Sequence, residues 1–131
     1  MIVVDTHITA YLYLPGDHTA RAEALYERDN AWAVPVLWRS EFRNILAGYL
    51  RRDQQSYEQA LAILAEAEAL VAGYEYEVAS RDVIGLVRDS DCSAYDCEFV
   101  ALAQSLGVAL VTADSKLLKA FPRVAMPLGT G

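Results

Sequence analysis

Short apolar runs rich in β-branched residues alternate along this chain with longer stretches whose apolar positions recur every three or four residues. Ile2 to Val4, closed by Asp5, predicts a buried strand, and Thr6 to Leu14 predicts a helix stopped by Pro15-Gly16. His18 to Arg28 predicts a second helix, Ala31 to Val34 a short strand ended by Pro35, and Val36 to Arg52 a third helix. Ser56, with Gln59 three residues on, has the pattern of a capping box; it opens an alanine- and leucine-rich helix that reaches about Val71 and stops at Gly73. Tyr74 to Val78 predicts another strand. Ser80 is placed to cap a helix through Arg88, and Ser93 to cap one that runs to Leu106 and ends at Gly107. Val108 to Thr112 is a continuous apolar run, as in a strand covered on both faces. A helical turn or two, Ser115 to Ala120, precedes a strand at about Arg123 to Met126. This alternation predicts an α/β domain, a parallel sheet flanked by helices in an α/β/α sandwich. No repeat or linker divides residues 1–126, and residues 127–131 read as a short C-terminal tail.

Composition narrows the possibilities. A chain of 131 residues that is 54% hydrophobic has material for one core and one domain. The opening lacks a basic leader, and the longest uncharged stretch, Phe99 to Ala113, is interrupted by Gln104, Ser105 and Gly107 and is too short to span a bilayer. A soluble cytoplasmic protein with no membrane partner is expected. Cys92 and Cys97 fall at the start of one predicted helix, where a bridge is geometrically awkward, so free thiols and a reducing compartment are expected. His7 and His18 stand alone, away from clustered nitrogen and sulfur donors, so zinc is not expected. A net charge of −7 excludes a domain that grips nucleic acid through a wide basic surface. It leaves room for an acidic catalytic cleft in which a cation offsets part of the charge.

Four acids have informative positions. Ligands of open parallel sheets bind beyond the carboxyl ends of the strands, where Asp5 and Asp114 stand, although either is equally a simple N-cap. Glu41 shares the apolar stripe of its helix with Trp38 and Ile45, so it needs a partner or a metal; an ion pair with Arg39 or Arg43 is the competing explanation. Asp96 lies on the face defined by Phe99, Val100 and Ala103, with a capping box shared with Ser93 as its alternative. One shared pocket would explain all four. Crowded carboxylates repel unless cations hold them, and oxygen-only ligands favour Mg²⁺ or Mn²⁺. The matching chemistry is phosphodiester hydrolysis.

Val3-Val4-Asp5-Thr6, Ser40-Glu41-Phe42-Arg43-Asn44, Ser93-Ala94-Tyr95-Asp96 and Val111-Thr112-Ala113-Asp114 with Lys116-Leu117, in that order and spacing, make the chain resemble a PIN domain from Met1 to about Met126. The short single-domain form is similar to VapC-type toxins. The resemblance implies a Mg²⁺- or Mn²⁺-dependent endoribonuclease, an RNA substrate, frequent homodimerisation and inhibition by a cognate antitoxin. Alternatives within the fold are an RNA-processing nuclease without antitoxin and an inactive binding module. On this resemblance Asp5 and Asp96 match the principal metal ligands, and Glu41 and Asp114 the acids that complete the catalytic site. Thr112 and Asn44 match supporting polar positions. His7, following Asp5-Thr6, departs from the small or amide residues common in relatives. Among the nearby basic residues, Arg43, Lys116 and Lys119 are candidates for holding RNA phosphates.

Overall fold

The computed structural model describes residues 1–129. In chain order its elements are β1 (Ile2–Val4), α1 (Thr6–Tyr13), α2 (Thr19–Arg28), β2 (Trp32–Pro35), α3 (Trp38–Arg51), α4 (Tyr57–Leu70), β3 (Glu75–Tyr76), α5 (Ser80–Arg88), α6 (Ala94–Leu106), β4 (Leu110–Thr112), α7 (Ser115–Ala120) and β5 (Ala125–Pro127). All pairings are parallel and the strand order is β3-β2-β1-β4-β5. The chain moves outward from β1 to β3 and then returns to build the other half, so the order reverses between β1 and β4. Right-handed crossovers therefore put α1 to α4 on one face and α5 to α7 on the other. The packing agrees: α1 lies against α2, α3 and α4, whereas α6 lies against α5 and covers β1 and β2. No helix among the described residues is long and apolar enough to cross a membrane.

Fully buried Val3 and Val4 of β1 and Ala33 and Val34 of β2, with buried Leu110 and Val111 of β4, form the middle of the core. Trp32, Trp38, Phe42 and Phe99 are its largest members. Several boundaries differ from the sequence reading for identifiable reasons. β4 begins at Leu110 rather than Val108, because the Val108 N–H is given to Ala103 O (3.0 Å) to close α6. Gly107, at φ 68°, supplies the left-handed residue that this closure requires. Ser80 does not cap α5: Ala79 holds that position without a side-chain bond and Ser80 is the first helical residue. Ser56 and Gln59 do form the full capping box. Pro127 extends β5 opposite Thr112 and Leu128 is buried, while Thr130 and Gly131 lie outside the described residues. Cys92 and Cys97 are buried free thiols.

The edge strand β3 is only two residues long and is secured by charge. The Arg39 guanidinium on α3 donates to both carboxylate oxygens of Glu75 (2.7 and 2.8 Å) and also to Glu68 of α4, and the Trp38 Nε1–H donates to Glu75 Oε2 (2.7 Å). The bonds from Arg39, reinforced by Trp38, hold the Glu75 carboxyl below its ordinary value of 4.5. A depressed folded pKa means that this contribution is complete above pH 4.5 and fades as pH falls through the folded value. Glu75→Gln should therefore cost about 1 kcal/mol at neutral pH, a figure that allows for partial solvent screening. In urea melts its deficit relative to wild type should narrow as the pH is lowered below 4.5; a deficit independent of pH would mean that packing, not charge, holds β3.

Candidate metal-binding and catalytic site

The strand-order reversal opens a crevice at the carboxyl ends of β1 and β4, the place where open α/β sheets bind ligands. All four acids singled out in the sequence line one cleft there, of about 320 Å³, together with His7, Tyr11 and Ala113. Asp5 follows β1 directly, and its N–H is bonded to Val111 O of β4 (3.0 Å). Asp114 follows β4. Glu41 comes from the first turn of α3 and Asp96 from the first turn of α6, so the two helical layers each contribute one acid.

Each acid also stands at a helix N-terminus: Asp5 and Asp114 at the N-caps of α1 and α7, and Glu41 and Asp96 in the opening turns of α3 and α6. Unpaired N–H groups at those ends offset part of the negative charge. The capping alternatives separate cleanly. Asp114 Oδ1 accepts from Lys116 N–H (2.8 Å), so it does cap α7, whereas the Asp5 side chain makes no cap bond. Ser93 Oγ accepts from Asp96 N–H (3.1 Å), but the return bond that would complete a box is not formed. Asp96 thus carries a capped backbone and a carboxylate facing the cleft.

Hydroxyl groups fix the carboxylates. Thr112, fully buried, donates through Oγ1 to Asp5 Oδ2 (2.8 Å) and accepts from Asp114 N–H (3.0 Å), one bond to each side of the crevice. Thr6 donates to Glu41 Oε1 (2.7 Å). Sequence reasoning assigned no role to Thr6; the available signal was a hydroxyl on the first turn of α1, next to Asp5, where a buried O–H needs an acceptor. Arg39 and Arg43 do not pair with Glu41: Arg39 is engaged by Glu68 and Glu75, and Arg43 is exposed and lines no part of the cleft. Lys116 lies close enough to Asp96 to favour its ionised form, while Lys119 is exposed one turn further along α7, outside the cleft. Asn44 is not brought to the carboxylates. Three residues beyond Glu41, it has moved a turn down α3 and lines a neighbouring groove.

Burial raises the proton affinity of Glu41 above the usual carboxylate range, and the charges of Asp5 and Asp96 add to the effect against the lowering by the Thr6 bond. Asp96 is raised chiefly by burial, then by Asp114 and Asp5. The donor set, all carboxylate oxygen, fits a hard divalent cation. No three His, Cys, Asp or Glu side chains among the described residues are gathered closely enough to cage an ion.

A single parallel α/β domain with an acidic cleft at its topological switch point is thereby defined. The chain belongs to the PIN domain family, whose family model matches residues 2–125. It is similar to Ribonuclease VapC3 of Pyrobaculum aerophilum, with 28% identity over 130 residues that cover 96% of this chain and 98% of that protein. Its fold matches the crystal structure of PAE2754 from Pyrobaculum aerophilum (TM-score 0.77, 20% identity, 97% of this chain and 83% of that one). It also matches FitAcB from Neisseria gonorrhoeae (TM-score 0.72, 16% identity, 96% of each chain) and a toxin–antitoxin complex from Klebsiella pneumoniae (TM-score 0.67, 15% identity, 96% of each chain).

The electrostatics of the cleft make a prediction about the metal-free protein. With its folded pKa raised, Glu41 weakens the fold at neutral pH, and the penalty shrinks as pH falls through the folded value and is gone below the ordinary value of 4.5. In EDTA at pH 7, Glu41→Gln should melt above wild type, since the amide oxygen still accepts from Thr6, and the difference should close on acidification. A variant that melts below wild type at every pH would show that Glu41 is held by a favourable contact and not against repulsion.

Proposed function

We propose that this chain is a Mg²⁺- or Mn²⁺-dependent endoribonuclease, acting in the cytoplasm as the toxin of a toxin–antitoxin pair and, as the resemblance to VapC-type toxins implies, as a homodimer. The observation that carries the reading is the convergence of Asp5, Glu41, Asp96 and Asp114, drawn from both helical layers, on one cleft at the β1/β4 switch. The end-to-end similarity to a ribonuclease of the VapC group supports it.

Asp5 and Asp96 would hold the cation directly, with Glu41 and Asp114 completing the acidic wall. When bound, the cation supplies positive charge that polarises a phosphodiester and acidifies water. The chain itself supplies position. Thr112 fixes one oxygen of Asp5, and Thr6 fixes one of Glu41. Asp114 Oδ1 is committed to the N-terminus of α7. The second oxygen of each of these three acids accepts no side-chain or cap bond from the described residues. Lys116, beside Asp96, is placed to meet a phosphate.

RNA cleavage should require added Mg²⁺ or Mn²⁺ and should fall on the order of a thousandfold or more in Asp5→Asn, which keeps the shape and removes the charge. Full activity in EDTA would overturn the reading. Excess Mn²⁺, at about one hundred times its dissociation constant, should raise the melting temperature of wild type on the order of 10 °C. Asp96→Asn should melt higher than wild type in EDTA yet gain less from Mn²⁺. If it is less stable in EDTA and gains equally, Asp96 serves only to start α6.

Expression of the wild-type chain in a bacterial host should arrest growth, and a small protein encoded beside its gene should relieve the arrest. Unaffected growth, with no such binder, would favour an RNA-processing nuclease over a toxin.

A further inference from the structure

A second groove, of about 470 Å³, runs on from the carboxylate cleft between α1 and α3, and His7 and Tyr11 line both. Its walls follow from helical spacing. On α1, His7 and Tyr11 are four residues apart and face the same way; on α3, Glu41 is followed down one face by Asn44, Gly48 and the Arg51-Arg52 pair. The acidic end therefore leads directly to a basic end. Arg51 and Arg52 form no ion pair with an acid among the described residues, in a chain whose net charge is −7.

The groove also carries planar surfaces. The rings of His7 and Tyr11 lie 6.4 Å apart, Tyr11 rests against His18 at 4.5 Å, and the Arg52 guanidinium sits over the Tyr49 ring at 5.1 Å. Gly48 is part of this arrangement, because a Cβ at that position would stand 3.0 Å from Arg52 Nη1. A residue without a side chain lets the guanidinium lie down against α3.

We infer that this groove receives the nucleotide next to the cleaved phosphodiester, its base stacked against exposed His7 and the half-buried rings of Tyr11 and Tyr49, and its phosphate held by Arg51 and Arg52. The inference rests on the ribonuclease reading above and adds to it a direction for the RNA strand, away from the acids along α3. Stacking on aromatic and guanidinium planes with nearby cations is how unpaired RNA is held without a basic surface. The volume lies in the range of pockets that enclose small ligands. A purely apolar segment would find a poorer match here, since the groove, although walled in part by Ala10, Leu14 and Ile45, is continuous with the acids and ends in paired arginines.

The test uses a short single-stranded RNA of mixed sequence, with steady-state cleavage and, on a cleavage-resistant 2′-O-methyl version, direct binding. Arg51→Ala/Arg52→Ala should raise KM and Kd about tenfold or more, with the loss falling on KM rather than kcat. Removing the same charge from α5, in Arg81→Ala/Arg88→Ala, should change neither. Tyr49→Leu should weaken binding and Tyr49→Phe should restore it, which a merely structural role for the ring would not give. Gly48→Ala, a better helix former, should melt at or above wild type and still bind RNA less well.

If wild type binds and cleaves while the α3 and α5 pairs behave alike, the groove is not the RNA path and the ribonuclease reading stands. If wild type neither binds nor cleaves RNA in Mn²⁺, both fall. If the α3 variants keep wild-type KM but lose the neighbour-encoded inhibitor, the groove belongs to that protein and the inference is overturned.

Discussion

The buried hydroxyl of Thr112 joins the ends of the two central strands, donating to Asp5 beyond β1 and accepting from the Asp114 N–H beyond β4. Its setting explains why this bond matters. Strand order reverses between β1 and β4, so the chain leaves those two ends toward opposite helical layers, and both ends carry a negative side chain. Like charges at that point push the crevice open. A Thr hydroxyl offers one donor and spare acceptor capacity, and here both are used across the gap. A valine of similar size would fill the same volume and leave the Asp114 N–H and the Asp5 carboxylate to water or to nothing.

The same crevice draws on the geometry of βα units. Helices that follow parallel strands begin at the carboxyl edge of the sheet, so α1, α3 and α7 present their N-termini there, and α6, entering from the opposite layer, presents its own. Four partly positive helix ends meet four carboxylates. This compensation is incomplete: burial first, and then the neighbouring carboxylates, raise the proton affinities of Glu41 and Asp96. A fold of this kind gathers acids more easily than a sheet with mixed strand directions, because every helix that directly follows a strand starts on one edge.

Much of this was legible in the residues because the relevant signals are local. The apolar stripe around Glu41 and the inward face that carries Asp96 revealed two acids out of place on their helices, and strand-end position revealed Asp5 and Asp114. Their identification owed more to combination than to any single position, since Asp114 does cap α7 and Asp96 is half of a capping pair. What stayed hidden depends on distance. The acceptor of Thr6 lies thirty-five residues away, and the partners of Arg39 twenty-nine and thirty-six residues away, so no spacing rule connects them. Strand boundaries shifted where a backbone group had two uses, as with Val108, whose N–H goes to the end of α6 instead of to the sheet. Asn44, matched to a supporting position by its place along the chain, lies one turn of helix beyond Glu41 and lines the adjoining groove.

On the proposed reading, helix α3 resolves the conflict between an acidic protein and a polyanionic substrate. Its first turn holds Arg39, spent on tying down β3, and Glu41, turned toward the cation. Its last turn leads into Arg51 and Arg52, which no carboxylate neutralises. A chain of net charge −7 repels RNA over most of its surface, and the cleft repels phosphate most strongly while its four acids stand uncompensated. Cation binding removes that barrier locally, whereas the arginine end attracts phosphate whether or not the cation is present. The two ends of the helix are therefore complementary: the arginine end would offer phosphate a hold that does not depend on a cation, and the four carboxylates would admit phosphate more readily once a cation offsets their charge.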